Sequence, residues 1–289
     1  MWKICAGGTA VKDIYYVNSN NEKIDLLEPP YMLQTGELFG YKWNYESKQR
    51  LGGGGKITNI RKDLEERTLT LSIVNYGVEN YEEAIDYLHE ITDIDVLKKT
   101  PGRLYVGGMY LNCYVTASEK SEWEPEAGYI DVSLTLAVEY PMWVGENPYT
   151  FHSFGVSSTD NKRYHGRYPY RYANGMNSTY IINPHFTNSN FKLIIYGSAV
   201  NPMVTIGGVP YLVNVILEED EYLAIDSRSR TIIKVTKNGE RESLYHNRQK
   251  GRNFFRKIDP GRQPISWTGK FDFDLIIYEE RGEPKWRRL

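Results

Sequence analysis

Cysteine is nearly absent from this chain: among 289 residues only Cys5 and Cys113 carry a thiol. Two thiols cannot build a disulfide framework and their spacing fits no metal motif, so both are expected to be reduced and buried. Long apolar runs are missing as well. No window approaches the roughly 18 apolar residues needed to span a bilayer, and the first residues, Met1 to Gly7, lack a basic region followed by an apolar stretch. These absences predict a soluble protein with no membrane insertion and no secretory signal of its own. Neither sign of charge dominates; the formal net charge is −2, which argues against nucleic-acid binding through bulk electrostatics. Helical periodicity is also scarce, with one helix read over Asn80–Glu90.

What is abundant is tyrosine. Its 24 copies lead an aromatic fraction of 13%, and with Thr, Val and Ile they suit pleated, half-buried surfaces and wide protein contacts. The length allows two ordinary domains, each with its own core. In the second half short strands follow one another with turn signals between them. Pro202–Ile206 and Pro210–Val215 flank Gly207-Gly208, and Tyr222–Asp226 and Thr231–Val235 flank Ser227–Arg230. Asn238-Gly239 suits a type I′ turn, in which both central residues need positive φ. Asn253–Ile258, Gln263–Trp267 and Lys270–Tyr278 complete the series, with Phe191–Tyr196 ahead of it. Such regular short strands point to an antiparallel sandwich or jelly roll.

In the first half, strands are expected at Ile14–Val17, Glu22–Leu27, Tyr31–Gln34 and Leu38–Tyr45. Ile57–Arg61 and Arg67–Val74 read as a pair around Asp63–Glu66, with the glycines Gly52–Gly55 as a loop. The helix has Asn80 as N-cap and Glu83 in capping-box position, with Ala84, Ile85, Leu88 and Ile91 on its apolar face. A separate helical turn is read at Asp95–Lys99, stopped by Pro101-Gly102. Leu104–Val106 and Met109–Thr116 form a hairpin about Gly107-Gly108. Tyr129–Tyr140 alternates most cleanly, with Ile130, Val132, Leu134, Leu136, Val138 and Tyr140 on one face. Pro141–Tyr149 interrupts the alternation and reads as a boundary, dividing the chain into domains 1–143 and 144–289. Between them and Phe191 only Phe151–Gly155 and Ser178–Ile182 read as strands.

Catalytic chemistry finds little support. Gly52–Lys56 resembles a phosphate loop but fails at both ends, where Arg50 and Ile57 stand in place of glycine and Ser or Thr. His89, His152, His165, His185 and His246 never pair at zinc spacing, and no nucleophile elbow is present. The acids Glu218-Glu219-Asp220-Glu221 lack the glycine bend of a calcium loop and read as a solvated turn. Tyr164–Tyr172, interleaved with Arg163, Arg167 and Arg171, suits a protein interface or the stacking of sugars or bases. Trp143, Trp267 and Trp286 are candidates for the same use. The basic ending Lys285–Leu289 suits docking on a neighbour or a frayed terminus.

Four short words stand in a particular order: Ile206-Gly207-Gly208, Tyr222-Leu223-Ala224-Ile225-Asp226-Ser227, Lys237-Asn238-Gly239 and Ile258-Asp259-Pro260-Gly261. In that order they resemble the carboxy-terminal domain of phage distal tail proteins, the Dit component of long-tailed phages and prophages. The likeness spans nearly the whole chain and is weakest over 145–185. It implies a mainly β protein: an N-terminal, β-barrel-like, ring-forming domain with one helix and a hairpin, then a C-terminal galectin-like β-sandwich. It further implies a hexameric ring of identical chains at the virion tail tip, assembled in the bacterial host cytoplasm. Its partners would be the tail tube protein, a tail tip or tail-associated lysin protein, and a receptor-binding protein, with a weak glycan as a further ligand. Catalytic, metal and cofactor residues are absent from what the resemblance implies, and none is assigned. Exposed sheet edges beside Gly52–Gly55 and Gly107-Gly108 suit pairing with a next subunit. Two other readings stay open on the residues: a lectin using the second half, and a sandwich-fold glycoside hydrolase with facing acids.

Overall fold

The computed structural model describes residues 13–75, 81–121, 128–153, 180–250 and 253–286. In chain order the first strands are β1 (Ile14–Val17), β2 (Lys23–Asp25), β3 (Tyr31–Gly36), β4 (Asn44–Gln49), β5 (Gly55–Arg61) and β6 (Glu65–Val74). The helix α1 (Tyr81–Lys98) follows, then β7 (Gly102–Val106), β8 (Met109–Lys120), β9 (Tyr129–Val138) and β10 (Trp143–Phe151). Two compact units emerge, one of Met1–Gly145 with Glu280–Leu289, the other of Glu146–Glu279.

In the first unit the alternation of β9 is the spine. Ile130, Val132, Leu134, Leu136 and Val138 are buried and the residues between them are not. β6 lies antiparallel beside it in unbroken register, setting Leu69, Leu71 and Ile73 opposite Leu134, Val132 and Ile130. A slip of one residue would expose the whole row, so the burial itself enforces this register. On the other side of β9 runs the second half of β8, whose first half pairs with β7, while β1 joins β7 to β2. β3 closes on β6, and its Leu33 N–H donates to Leu26 O at 2.7 Å, just past β2. The two end strands are thereby brought together, giving the sheet a barrel-like closure.

The helix lays Tyr81, Ala84, Leu88 and Ile91 into this core. It is one element rather than a helix plus a separate turn, and it ends before Pro101. Lys99 takes φ 51°, its N–H donates to Val96 O, and Thr100 N–H donates to Asp95 O. Those two bonds and that left-handed residue are a Schellman stop, which satisfies carbonyls the helix would otherwise leave bare. The predicted N-cap Asn80 lies outside the described residues.

Several expected strands move. Of Leu38–Tyr45 only Asn44 and Tyr45, the start of β4, are strand; ahead of them the guanidinium of Arg67 takes the carbonyls of Glu37, Leu38 and Gly40 that a ladder would have used. β5 pairs with β4 rather than with β6. Pro141–Tyr149 is mostly strand: β10 runs through it, with Val144 opposite Tyr110 of β8 and Pro148 beyond that pair, where the β8 side needs no donor.

The second unit adds β11 (Tyr180–Asn183), β12 (Phe191–Tyr196), β13 (Ala199–Val200), β14 (Met203–Ile206), β15 (Val209–Leu212), β16 (Ile216–Leu217), β17 (Tyr222–Asp226), β18 (Thr231–Val235), β19 (Arg241–Ser243), β20 (Gly261–Trp267) and β21 (Phe273–Arg281). One sheet runs β19-β18-β17-β12-β21-β10 and another β11-β20-β14-β15, with β13 and β16 as a small separate pair. Phe191, Leu193, Leu223, Ile225, Phe273 and Leu275 of the first sheet share one core with Ile181, Val204, Ile206, Tyr211 and Ile265 of the second. Two antiparallel sheets face to face around one core make a β-sandwich.

Both Gly-Gly turns carry positive φ at each glycine, as a type I′ hairpin requires. The Asn238-Gly239 turn differs. Only Gly239 has positive φ, at 83°, and its N–H bonds Thr236 O, so the loop is a type I turn closed by a left-handed glycine. Asn253–Ile258 is not a strand either. It is a turn whose Phe254 fills the core and whose Ile258 alone bridges to Ser189.

Candidate functional surface

Among the described residues β4 and β5 pair only with each other, forming a two-stranded ribbon. The register places Lys48 opposite Lys56, Ser47 opposite Ile57, and Tyr45 opposite Ile60. Side chains alternate between faces along a strand, so one face carries Asn44, Glu46, Lys48, Lys56 and Arg61. The Arg61–Glu46 ion pair at 2.9 Å lies on that face. The other face carries Tyr45, Ile57 and Ile60, which are 67%, 53% and 57% exposed, and Leu51 stands at the tip fully exposed. The ribbon is amphipathic, yet among the described residues neither face is covered. Gly52, Gly53 and Gly54 all take positive φ at the tip, and Arg50 N–H closes the turn on Gly54 O. These glycines therefore form a hairpin tip, with Gly55 already in β5.

The base of the ribbon is stiff. Arg61 pairs with Asp63 at 3.0 Å, and Asn44 donates to Asp63 at 2.9 Å. Just beyond, Lys62 sits over Trp43 at 5.3 Å and Tyr41 at 5.9 Å. Its ammonium is buried with no hydrogen-bond partner among the described residues, and burial lowers its pKa from the ordinary lysine value. Next to it Arg67, buried, pairs with Glu65 at 3.2 Å. Trp286 stacks on Phe39 at 4.4 Å and donates to Glu283, so the described part of the basic ending packs within the first unit.

The other sequence candidates do not converge. His89 contacts Lys120 Nζ at 3.1 Å, and His152 lies 3.5 Å from Asp272. His185 is buried and accepts from Thr187 N–H, and His246 is exposed in a short 3-10 turn. Cys113 is a buried free thiol, its pKa pushed up to about 12 chiefly by burial. Among the described residues no group of His, Cys, Asp or Glu is placed to hold a metal ion. Trp143 is core, and Trp267 sets its edge on Phe151 and Phe273. His165, Cys5 and Tyr164–Tyr172 lie outside the described residues.

The acid run 218–221 is not wholly solvated, because Glu221 is drawn inward. It pairs with Lys234 at 2.7 Å and accepts from Glu218 N–H at 2.9 Å. Burial alone would raise its pKa, but these bonds outweigh it and hold the carboxyl below its usual range. Gly197 packs against the same turn so closely that a Cβ there would lie 1.7 Å from Glu218 O. The run is a braced turn.

Nothing in the residues before β4 signals a free ribbon, since the aromatic stretch there mimics a strand. The signal that was present is the run of four glycines between Asn44–Gln49 and Ile57–Arg61.

No family model matches the sequence, and no curated protein matches it either. The fold is that of phage distal tail and baseplate hub proteins. The Dit protein of phage SPP1, described as a paradigm of the hub adsorption apparatus in phages infecting Gram-positive bacteria, aligns over 93% of this chain and 99% of its own, with TM-score 0.56 and 14% identity. A chain of the phage P2 baseplate in its activated conformation with calcium aligns over 95% of this chain and 100% of its own, with TM-score 0.61 and 14% identity. The strontium form of that baseplate gives 0.59 and 15% over the same shares. No helix among the described residues is long and apolar enough to cross a membrane.

Proposed function

We propose that this chain is a structural hub of a long phage tail, a hexamer whose first unit forms a ring between tail tube and tail tip. The observation that carries this reading is the uncovered ribbon β4–β5. An isolated two-stranded hairpin is marginal in water, and this one leaves Tyr45, Ile57 and Ile60 exposed on a single face. Such an element gains its stability from a second chain. A contact between two different patches, repeated from copy to copy, closes into a ring when its rotation divides a full turn. Obligate contacts of this sort bury upward of about 2,000 Å². The second unit, a sandwich, then offers attachment for the tail tip or tail-associated lysin protein and for receptor-binding parts. The role is mechanical and needs no catalytic residue. Negative-stain electron microscopy of the purified chain tests it: sixfold rings are expected, and a field of single-chain particles at all concentrations counts against it.

A further inference from the structure

The ribbon's polar face poses a second problem that its apolar face does not. Lys48 and Lys56 stand directly opposite each other, both exposed. Like charges in that position destabilise a strand pair, and among the described residues there is no third strand to share the load. Arg50 at the tip adds to the same charge. A partner of opposite sign would turn this repulsion into attraction.

The same unit carries that opposite sign elsewhere. On α1, Asp86, Glu90 and Asp93 are exposed and spaced four and three residues apart, so they form one stripe along the helix. Acids at this spacing repel one another, and only those in the first turn, Glu82 and Glu83, gain from the helix dipole. Lys98 comes only in the last turn. Two exposed apolar residues, Tyr87 and Leu97, flank the stripe. From Asp86 to Asp93 the stripe runs about 10 Å at 1.5 Å per residue, and the basic end of the ribbon, Lys48 to Arg50 with Lys56 opposite Lys48, runs about 7 Å. The basic end fits within the acidic stripe.

We infer that the polar face of β4–β5, through Lys48, Lys56 and Arg50, docks on the Asp86–Glu90–Asp93 stripe of α1 in a second copy of this chain. This rests on the ring reading and specifies which element of the next copy receives the ribbon. Each element alone holds like charges together at a cost, and the contact relieves both at once. It is also directional, since ribbon and stripe are different patches, which is what a closing ring requires. Tyr45, Ile57 and Ile60 face away from the stripe and are left for apolar surface on the opposite side of the ribbon.

Charge exchange tests this, because complementary reversals restore a contact that either alone abolishes. Two variants are needed, K48E/K56E on the ribbon and E90K/D93K on the helix, with circular dichroism confirming an unchanged fold. Self-association of each is measured by sedimentation velocity. Each variant alone is expected to associate at least about tenfold more weakly than the parent, as desolvated charge pairs of this type do when reversed. In an equimolar mixture acidic ribbons meet basic helices and basic ribbons meet acidic helices, so assembly is expected to return to near the parent level. Variants that assemble as the parent does overturn the docking while leaving the ring standing. Variants that weaken assembly without mutual rescue also overturn it. A parent and a mixture that both stay monomeric overturn the docking and the ring together.

Discussion

The Tyr16 hydroxyl donates to the Asp95 carboxylate at 2.5 Å, joining β1 to the last turn of α1 across 79 residues of sequence. The other carboxylate oxygen accepts from Ser19 N–H at 2.7 Å. Asp95 is fully buried, and Gly102 leaves the room it needs: a Cβ there would lie 2.0 Å from the Tyr16 oxygen and 2.4 Å from the carboxylate. The helix is pinned to the sheet by one acid. Replacing Asp95 with Ala orphans a buried hydroxyl and a backbone donor, so a loss of about 1–3 kcal/mol is expected in urea unfolding. Tyr16→Phe should cost less, about 0.5–1.5 kcal/mol. Gly102→Ala should destabilise by about 1–3 kcal/mol through overpacking.

The pair Glu221–Lys234 predicts a pH dependence. Its carboxyl is held below the usual glutamate range in the folded chain, so it contributes stability above its unfolded pKa. That contribution is lost as pH falls through the depressed folded value. Lys234→Met should therefore lower the melting temperature at pH 7, and the gap between variant and parent should narrow in acid, as differential scanning calorimetry from pH 7 to pH 3 would show. A constant gap over that range contradicts the pairing.

Asp274 predicts the opposite slope. Burial raises its pKa, only partly offset by the side-chain bonds from Tyr196, at 2.6 Å, and Thr150. A carboxyl with a raised folded pKa is most favourable to folding below its unfolded pKa, and that advantage is lost as pH rises through the folded value. Asp274→Asn keeps an acceptor for Tyr196 without the charge. The variant should melt higher than the parent at pH 7 and no higher near pH 3.

Ile57 and Ile60 separate a contact surface from a core. Because both are more than half exposed in a single chain, Ile57→Ser with Ile60→Ser should leave monomer stability within about 0.5 kcal/mol, as surface changes do. Association, by contrast, should weaken at least tenfold by sedimentation. A loss of folding stability instead would mean that the ribbon's apolar face is already covered within the chain.

Much of the fold was legible where burial is one-sided. Ile14–Val17 and Tyr222–Asp226 are strands at the residues expected, because alternation records a half-buried pleat directly; Phe191–Tyr196 and Thr231–Val235 are too, on apolar and β-branched runs rather than on alternation. Two kinds of place were not legible. In one, a distant side chain does a ladder's work: Arg67 claims the carbonyls of Glu37, Leu38 and Gly40, and the aromatic residues nearby then read as a strand that is not there. In the other, burial gives no contrast. β4 is exposed on both faces, so its pattern points to no core, and the glycines at its tip were the only mark of the ribbon. The register that puts Lys48 against Lys56 depends on a bulge at Glu46/Ser47, which no spacing rule supplies. The acid stripe on α1 was visible as charge, but its counterpart was not, because the two are far apart in sequence and, on this account, meet only between chains.

The central claim is self-association through the first unit, and the solution mass of the purified chain tests it most directly. Light scattering across a wide concentration range should approach six times the chain mass, falling as salt screens the ribbon–helix charges. A mass of one chain at every concentration, unchanged by salt, would contradict it.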